Sequence, residues 1–473
     1  MELFPLNKRF FVILIMRTII LSLIILYSSL CAQNEQLKLG ADISFLEQLD
    51  DLNAKFFDNG EEKPLLDILK NHGFTYIRLR IWHTPPAGYN DLESTLYLAR
   101  RIKDAGMKLY LDFHYSDSWA DPGQQTIPAA WGNLEFETLV DSFYNYTRDV
   151  IHALKSQNTP PDIIQLGNEI SCGFLWDVAN ICDENNTHAQ WLKFTGLLNA
   201  GINAIHDVLG DSTSAQIMIH TDKGGDSDAC RWFFSKLETY GVQFDLIGLS
   251  YYPWWHGDLD NLKENLDYLS WRFNQKIFLA EIAYPWTLAN QDFTNNFVWN
   301  NDQLIPEYPA TVTGQTDYFN NLFELLASYG GKVAGASYWE PGFRGIPGMN
   351  SPWENQTLFD FYGNLLPSIS AFENISTSLP ETITETRKFR IIGNFPNPMN
   401  SDTFITLYSP IHDSAIINIF NAIGERTKSY QSLPIESGIN HIKLELPSMS
   451  SGIYFCQVIT AQYSQFVKLL VVK

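Results

Sequence analysis

Two glutamates stand where paired carboxylate chemistry would need them. Each closes an apolar run that has no structural use for a charge: Ile164-Gln165-Leu166-Gly167-Asn168-Glu169-Ile170 and Ile277-Phe278-Leu279-Ala280-Glu281. Two acids facing one cleft can divide the work of glycoside hydrolysis, one protonating the leaving oxygen while the other attacks the anomeric carbon or activates water. Asn168, next to the first acid, has the chemistry to hydrogen-bond a sugar 2-hydroxyl, a contact that strengthens in the transition state. A lone glutamate at a strand end as readily caps a helix or joins an ion pair. Two of them, with Tyr251 and Trp339 ending neighbouring strands, make that structural explanation the weaker one. Glu340 competes from a third strand end, but it directly follows Trp339 and should point away from it. Asp112 is expected inside the mouth supporting Arg80 or His114, and Asp117 is expected to meet sugar hydroxyls.

His83, His114 and His220 raise the question of zinc, which three histidines can hold. They come from separate strands, no HExxH pattern accompanies them, and aromatics surround them, so hydroxyl binding by neutral imidazoles is the preferred reading. Trp119, Trp254, Trp255, Trp286 and Trp339 are candidate platforms for sugar rings, with core packing the competing explanation for each.

Such residues must be positioned by regular elements. Between Leu37 and about Pro367, short β-rich runs alternate with amphipathic segments. Strands are expected at Leu37 to Phe45, Tyr76 to Trp82, Lys108 to Tyr115, Ile163 to Ile170, Gln216 to Thr221, Leu246 to Tyr252, Ile277 to Tyr284 and Val333 to Glu340. Helical patterns include Asp91 to Ala105, Glu135 to Ser156, Trp191 to Leu209, Ala229 to Tyr240 and Thr316 to Tyr329. Gly73, Gly106, Gly210, Gly241 and Gly330 fall where a helix must reverse into the next strand. Eight βα repeats fit a (β/α)₈ barrel, whose active sites form where the C-terminal strand ends converge. No glycine-rich phosphate fingerprint opens a helix, which disfavours a nucleotide-binding sheet.

The chain has 473 residues, a net charge of −21 and 14% aromatic residues, a balance that disfavours nucleic acid and suits a folded acidic protein of two domains. Lys8, Arg9 and Arg17 precede an apolar stretch from Ile19 to Leu30 and a small residue at Ala32, so residues 1–32 read as a secretory signal. In an oxidising compartment Cys172 and Cys182 could close a short loop disulfide. The barrel is expected over residues 33–370, a Ser/Thr/Glu/Asn-rich linker over 371–388 and a small all-β sandwich over 389–473, with strands at Phe404 to Tyr408, Ala415 to Phe420, His441 to Leu446 and Gly452 to Val458.

These motifs resemble glycoside hydrolase family 53, the endo-β-1,4-galactanases of a large retaining clan. The resemblance is carried by Gly40-Ala41-Asp42-Ile43-Ser44, Arg78-Leu79-Arg80-Ile81-Trp82, Gly167-Asn168-Glu169-Ile170, Glu281-Ile282-Ala283-Tyr284-Pro285-Trp286 and, most specifically, the run from Asp112 to Gly123. It implies that Glu169 is the acid/base and Glu281 the nucleophile, with Arg80, His114, Asn168, Tyr251 and Trp339 shaping the subsite of the reacting sugar. His83, Asp117, Trp119, His220 and Trp286 complete the expected binding set. A retaining mechanism implies carboxylates about 5 to 5.5 Å apart, with Glu281 kept ionised by a cation such as Arg80.

The same resemblance implies a monomeric enzyme acting on β-1,4-galactan and requiring no cofactor. Relatives can carry a structural calcium, for which this chain offers Asn290, Asp292 and Asn295 but no dense carboxylate run. The C-terminal segment resembles type IX secretion sorting domains through Asn394-Phe395-Pro396-Asn397-Pro398 and Ser451-Gly452-Ile453-Tyr454-Phe455, so the type IX machinery is the implied partner. A carbohydrate-binding tail is disfavoured because no tryptophan follows Trp353. Two alternatives stay open at this level: a surface glycan-binding protein, or a related hydrolase acting on mannan or xylan.

Overall fold

The computed structural model describes residues 37–376, 389–395, 399–409, 412–436, 438–446, 449–461 and 463–473. The export signal over residues 1–32, the linker from 377 onward and Pro396, Asn397 and Pro398 lie outside the described residues. The chain divides into two compact units, residues 1–378 and 379–473.

The first unit is a closed barrel of eight parallel strands. They are β1 (Lys38–Asp42), β2 (Tyr76–Ile81), β3 (Lys108–Phe113), β4 (Ile163–Leu166), β5 (Gln216–Thr221), β6 (Leu246–Tyr251), β7 (Lys276–Ile282) and β8 (Val333–Trp339). Every expected strand is present, and β1 closes the ring by pairing with both β8 and β2. The segments expected to continue several strands, such as Asn168 to Ile170, have left the ladder and form the rim.

The helices are α1 (Leu46–Asp51), α2 (Leu65–Asn71), α3 (Leu92–Asp104), α4 (Phe136–Ser156), α5 (His188–Leu209), α6 (Ser227–Thr239), α7 (Pro253–His256), α8 (Leu259–Arg272), α9 (Val312–Ala327) and α10 (Ser370–Ser376). α4 shows why they form: Leu139, Phe143, Val150, Ile151 and Leu154 recur on one buried stripe, each worth about 1.5–3 kcal/mol on burial. The five expected helix-to-strand glycines all have positive φ. The start of the expected linker is instead α10, whose Phe372 is buried against Phe74, Phe319, Phe323 and Tyr338.

Strand alternation sorts the barrel interior by depth. Tyr76, Tyr110, Ile163, Met218, Leu246, Phe278, Ala280 and Ala334 make an apolar cluster. Two residues further along four of those strands, on the same inward face, come Arg78, Asp112, Gln165 and His220, all buried. The barrel interior is therefore apolar below and polar toward the C-terminal mouth.

Among the described residues the second unit has seven strands: β9 (Arg390–Phe395), β10 (Asp402–Ser409), β11 (Asp413–Asn421), β12 (Arg426–Ile435), β13 (Gly438–Glu445), β14 (Gly452–Ile459) and β15 (Ser464–Val471). They form antiparallel sheets ordered β9-β10-β13 and β12-β11-β14-β15. Ile405, Leu407, Ile417, Ile419, Leu444, Val458 and Leu469 are buried in a core of their own.

Candidate active site

Glu169 is presented by a sharp turn at the end of β4. Gly167 has φ +88°, and a Cβ there would fall 2.6 Å from Ile170 Cγ2, so only glycine fits the turn. Glu169 itself has φ +50°, a left-handed conformation costly for a residue with a Cβ and held by its surroundings. Its N–H donates to His220 Nδ1 at 3.3 Å, and the Ser250 hydroxyl donates to its carboxylate. With Nδ1 accepting, His220 turns Nε2–H toward Ser250 Oγ at 3.0 Å. Burial, reinforced by Arg78, holds that imidazole well below its usual range, hence neutral.

Asn168 is fixed on every side. Its Oδ1 accepts from Arg78 Nη2 at 2.9 Å and from Gln165 at 3.2 Å, and its Nδ2 donates to Ala120 O at 2.9 Å. The Gln125 amide donates to its backbone carbonyl at 2.8 Å. Ala120 and Gln125 belong to the loop after β3, so that loop braces the residue beside Glu169. One Nδ2–H stays available to a substrate hydroxyl.

Glu281 is aimed by a register shift. Between β6 and β7, Leu249 pairs with Leu279 but Ser250 pairs with Glu281, leaving Ala280 as the extra residue of a bulge. Arg78 Nη1 donates to Glu281 Oε1 at 2.8 Å and the Tyr252 hydroxyl donates to Oε2 at 2.9 Å. The same guanidinium holds Asp42 at 2.9 Å and Asp112 at 2.8 Å, so one fully buried cation gathers three carboxylates at the barrel mouth.

The two acids differ in their neighbours. Burial raises both carboxyls. Glu169 is driven well above the usual range, by burial first, then by the charges of Glu281 and Asp222. For Glu281 the rise is opposed by Arg78 and by the Tyr252 hydroxyl. Glu281 therefore ionises first and Glu169 keeps its proton, the division of roles an acid and a nucleophile need.

Both line one cleft of about 1140 Å³ at the C-terminal mouth. Of the expected binding residues, Arg80, His114, Trp119, Asn168 and Trp339 line it too. Arg80, however, is not the cation on Glu281. It pairs with Glu340 at 2.9 Å and lies between the rings of Phe45 and Trp119, at 4.3 and 4.4 Å. That partnership, with a second bond from Phe45 N–H at 3.1 Å, makes Glu340 a buried structural acid. His114 Nδ1 accepts from Trp82 and Ala120, leaving Nε2–H for Asp112 at 3.0 Å.

Five of the expected binding residues lie outside the cleft lining. His83 packs on Trp131 and Tyr146, both at 4.7 Å. Asp117 accepts the N–H groups of Thr84 and Ala129, stitching two loops together. Tyr251 donates to Gly257 O at 3.0 Å, and Trp286 packs on Phe361 at 4.8 Å. His220, fully buried, acts through Glu169, whose N–H its Nδ1 accepts. Cleft residues outside the expected binding set include Arg78, Tyr252, Asp42, Phe45 and Trp353.

Cys172 and Cys182 form a disulfide across the loop that follows Glu169. At the expected calcium loop, Asn290 bonds the backbone of Phe293 and Thr294, and Asp292 accepts the N–H groups of Thr294 and Ser351. Asp292 thus ties its own loop to the loop that follows β8. Among the described residues, no group of three or more His, Cys, Asp or Glu side chains is arranged to hold a metal.

Comparison with known proteins gives two family matches. Residues 38–372 match the model of glycosyl hydrolase family 53, and residues 394–473 that of a secretion system C-terminal sorting domain. The arabinogalactan endo-β-1,4-galactanase of Cellvibrio japonicus is 33% identical over 354 residues, 72% of this chain and 92% of that protein. The solved family 53 catalytic domain of Ignisphaera aggregans superposes with a TM-score of 0.67 at 37% identity, covering 72% of this chain and 96% of that one. A solved fungal β-1,4-galactanase gives 0.63 at 30% identity, covering 72% and 99%.

Proposed function

The chain belongs to glycosyl hydrolase family 53, and on that premise we propose that it is a retaining endo-β-1,4-galactanase in which Glu169 is the acid/base and Glu281 the nucleophile. The observation that carries the roles is the electrostatic asymmetry of the pair: an acid beside carboxylates in the turn after β4, and a carboxylate held by Arg78 and Tyr252 on β7.

In the first step the Glu281 carboxylate attacks the anomeric carbon, the bond to the leaving sugar oxygen breaks, and that oxygen takes the proton of Glu169. Glu169, now ionised, removes a proton from water. The water oxygen displaces Glu281 from the anomeric carbon, and two inversions leave the β configuration. Asn168 offers its remaining N–H to the 2-hydroxyl of the reacting sugar. No step calls on a metal.

The C-terminal sorting domain implies export to the surface or the medium. In our reading residues 1–32 take the chain across the inner membrane, the type IX machinery takes it further, and the enzyme works as a monomer on galactan side chains of plant pectin.

Proton NMR of the first product tests the mechanism, and a reducing-sugar assay on a polysaccharide panel tests the substrate. Linear β-1,4-galactan should give short oligosaccharides released as the β-anomer, with mannan and xylan largely intact. Initial α-anomer would overturn the role assignments, and comparable rates on mannan would overturn the substrate.

A further inference from the structure

Large exposed aromatics are scattered over the barrel surface, and two of them differ from the rest by position. Trp255 is 55% exposed and Phe297 47% exposed, their ring centroids are 5.8 Å apart, and both line the cleft that holds Glu169 and Glu281. Trp271, at 79% exposed, lies on α8 and does not line it.

The pair is anchored from below. Trp255 sits in α7, directly after Tyr252, with its ring 5.4 Å from Tyr252 and 5.6 Å from Trp254. Phe297 packs on Trp353 at 6.0 Å, and its N–H donates to Pro352 O at 3.0 Å. Tyr252 touches the nucleophile, so Trp255 stands one ring further out along the cleft. The same cleft carries polar groups on Lys223, Asp226, Asp228 and Glu264. An aromatic step with polar partners across a groove is how sugar rings are held, the C–H face on the rings and the hydroxyls on the polar side. In β-galactose the axial 4-hydroxyl leaves the C–H bonds of C3, C4 and C5 together on the opposite face.

We propose that Trp255 and Phe297 form a platform for a galactosyl unit of the polymer beyond the sugars at the scissile bond, so that the enzyme prefers long chains. The occupant is the substrate itself, because the platform is continuous with the reacting centre. The proposal rests on the galactanase reading.

The test compares kcat/KM on linear galactan with kcat/KM on an activated aryl galactobioside, for the unaltered protein and for Trp255→Ala, Trp255→Phe and the remote Trp271→Ala. For Trp255→Ala the ratio of galactan to aryl substrate should fall by about tenfold or more, mainly through KM, with Trp255→Phe recovering most of it and Trp271→Ala matching the unaltered protein. An unchanged ratio overturns the platform. So does an equal loss on both substrates, which would mean that the ring only supports Tyr252. If the unaltered protein leaves galactan uncut, the substrate reading fails before any variant is compared.

Discussion

Arg78 Nη1 lies 2.8 Å from Glu281 Oε1 inside the barrel mouth, and the other arm of the same guanidinium holds Asn168, the residue next to Glu169. One side chain thus sets the spacing between the strand of the proposed nucleophile and the strand of the proposed acid. Arg78→Lys keeps the charge but not the two-armed geometry. Losing two charge-assisted bonds of about 1.5–3 kcal/mol each should lower kcat by about 100-fold or more. Steady-state kinetics on protein shown folded by circular dichroism check this; a loss below about threefold would deny Arg78 a positioning role.

Tyr252→Phe removes one hydroxyl and nothing else. The phenol is buried and held above its usual range by burial and by Glu281, so it is a donor at any working pH. Without it, kcat should fall by about 10- to 100-fold with KM little changed. The acid limb of the pH profile should move up, because the bond lowers the Glu281 carboxyl. Tyr251→Phe, whose hydroxyl bonds Gly257 O, should leave the profile in place.

Asp222 raises Glu169, after burial and Glu281. Asp222→Asn removes that negative charge and leaves Lys223, its partner at 2.6 Å, uncompensated. Both changes lower the Glu169 carboxyl, and an acid that must stay protonated then loses its proton at lower pH. The alkaline limb of kcat/KM should move down and the acid limb should stay. An alkaline limb that stays or rises would refute the assignment of Glu169 as the acid.

The disulfide spans a loop of sequence separation 10 that carries Trp176, whose N–H donates to Gln125 O at 2.7 Å. Replacing both Cys172 and Cys182 by serine should cost about 2–3 kcal/mol by loop entropy, read as a lower denaturation midpoint. Gln125 braces Asn168, so kcat should also fall a few-fold; no change in either quantity would mean that the loop is held without the bridge.

Much of this site is legible in the sequence, and the misses share one cause. Glu169 and Glu281 announce themselves because a charge ends an apolar run. Arg78 and Arg80 are both inward on β2 by alternation, and sequence alone cannot tell which depth reaches Glu281 and which meets Glu340. Tyr251 and Tyr252 differ by one position where the strand gives way to α7, so period-two logic stops at the residue that matters. His83 and Asp117 lie past the last ladder pairs, where loop conformation decides direction. The fold needed only periodicity, whereas the site needed register, the bulge at Ala280 and the positive φ at Glu169.

The seam between β1 and β8 joins Lys38 to Gly335 and Asp42 to Trp339. Contacts so distant along the chain form only after most of its conformational freedom has been given up. Trp339 in the cleft and Glu340 against Arg80 both come from the strand that completes this seam. A nascent or partly threaded chain therefore has its acids, but not the finished groove to use them in. Recovery of activity during refolding reports the moment the ring is joined, and hydrolysis stays silent until the molecule is whole.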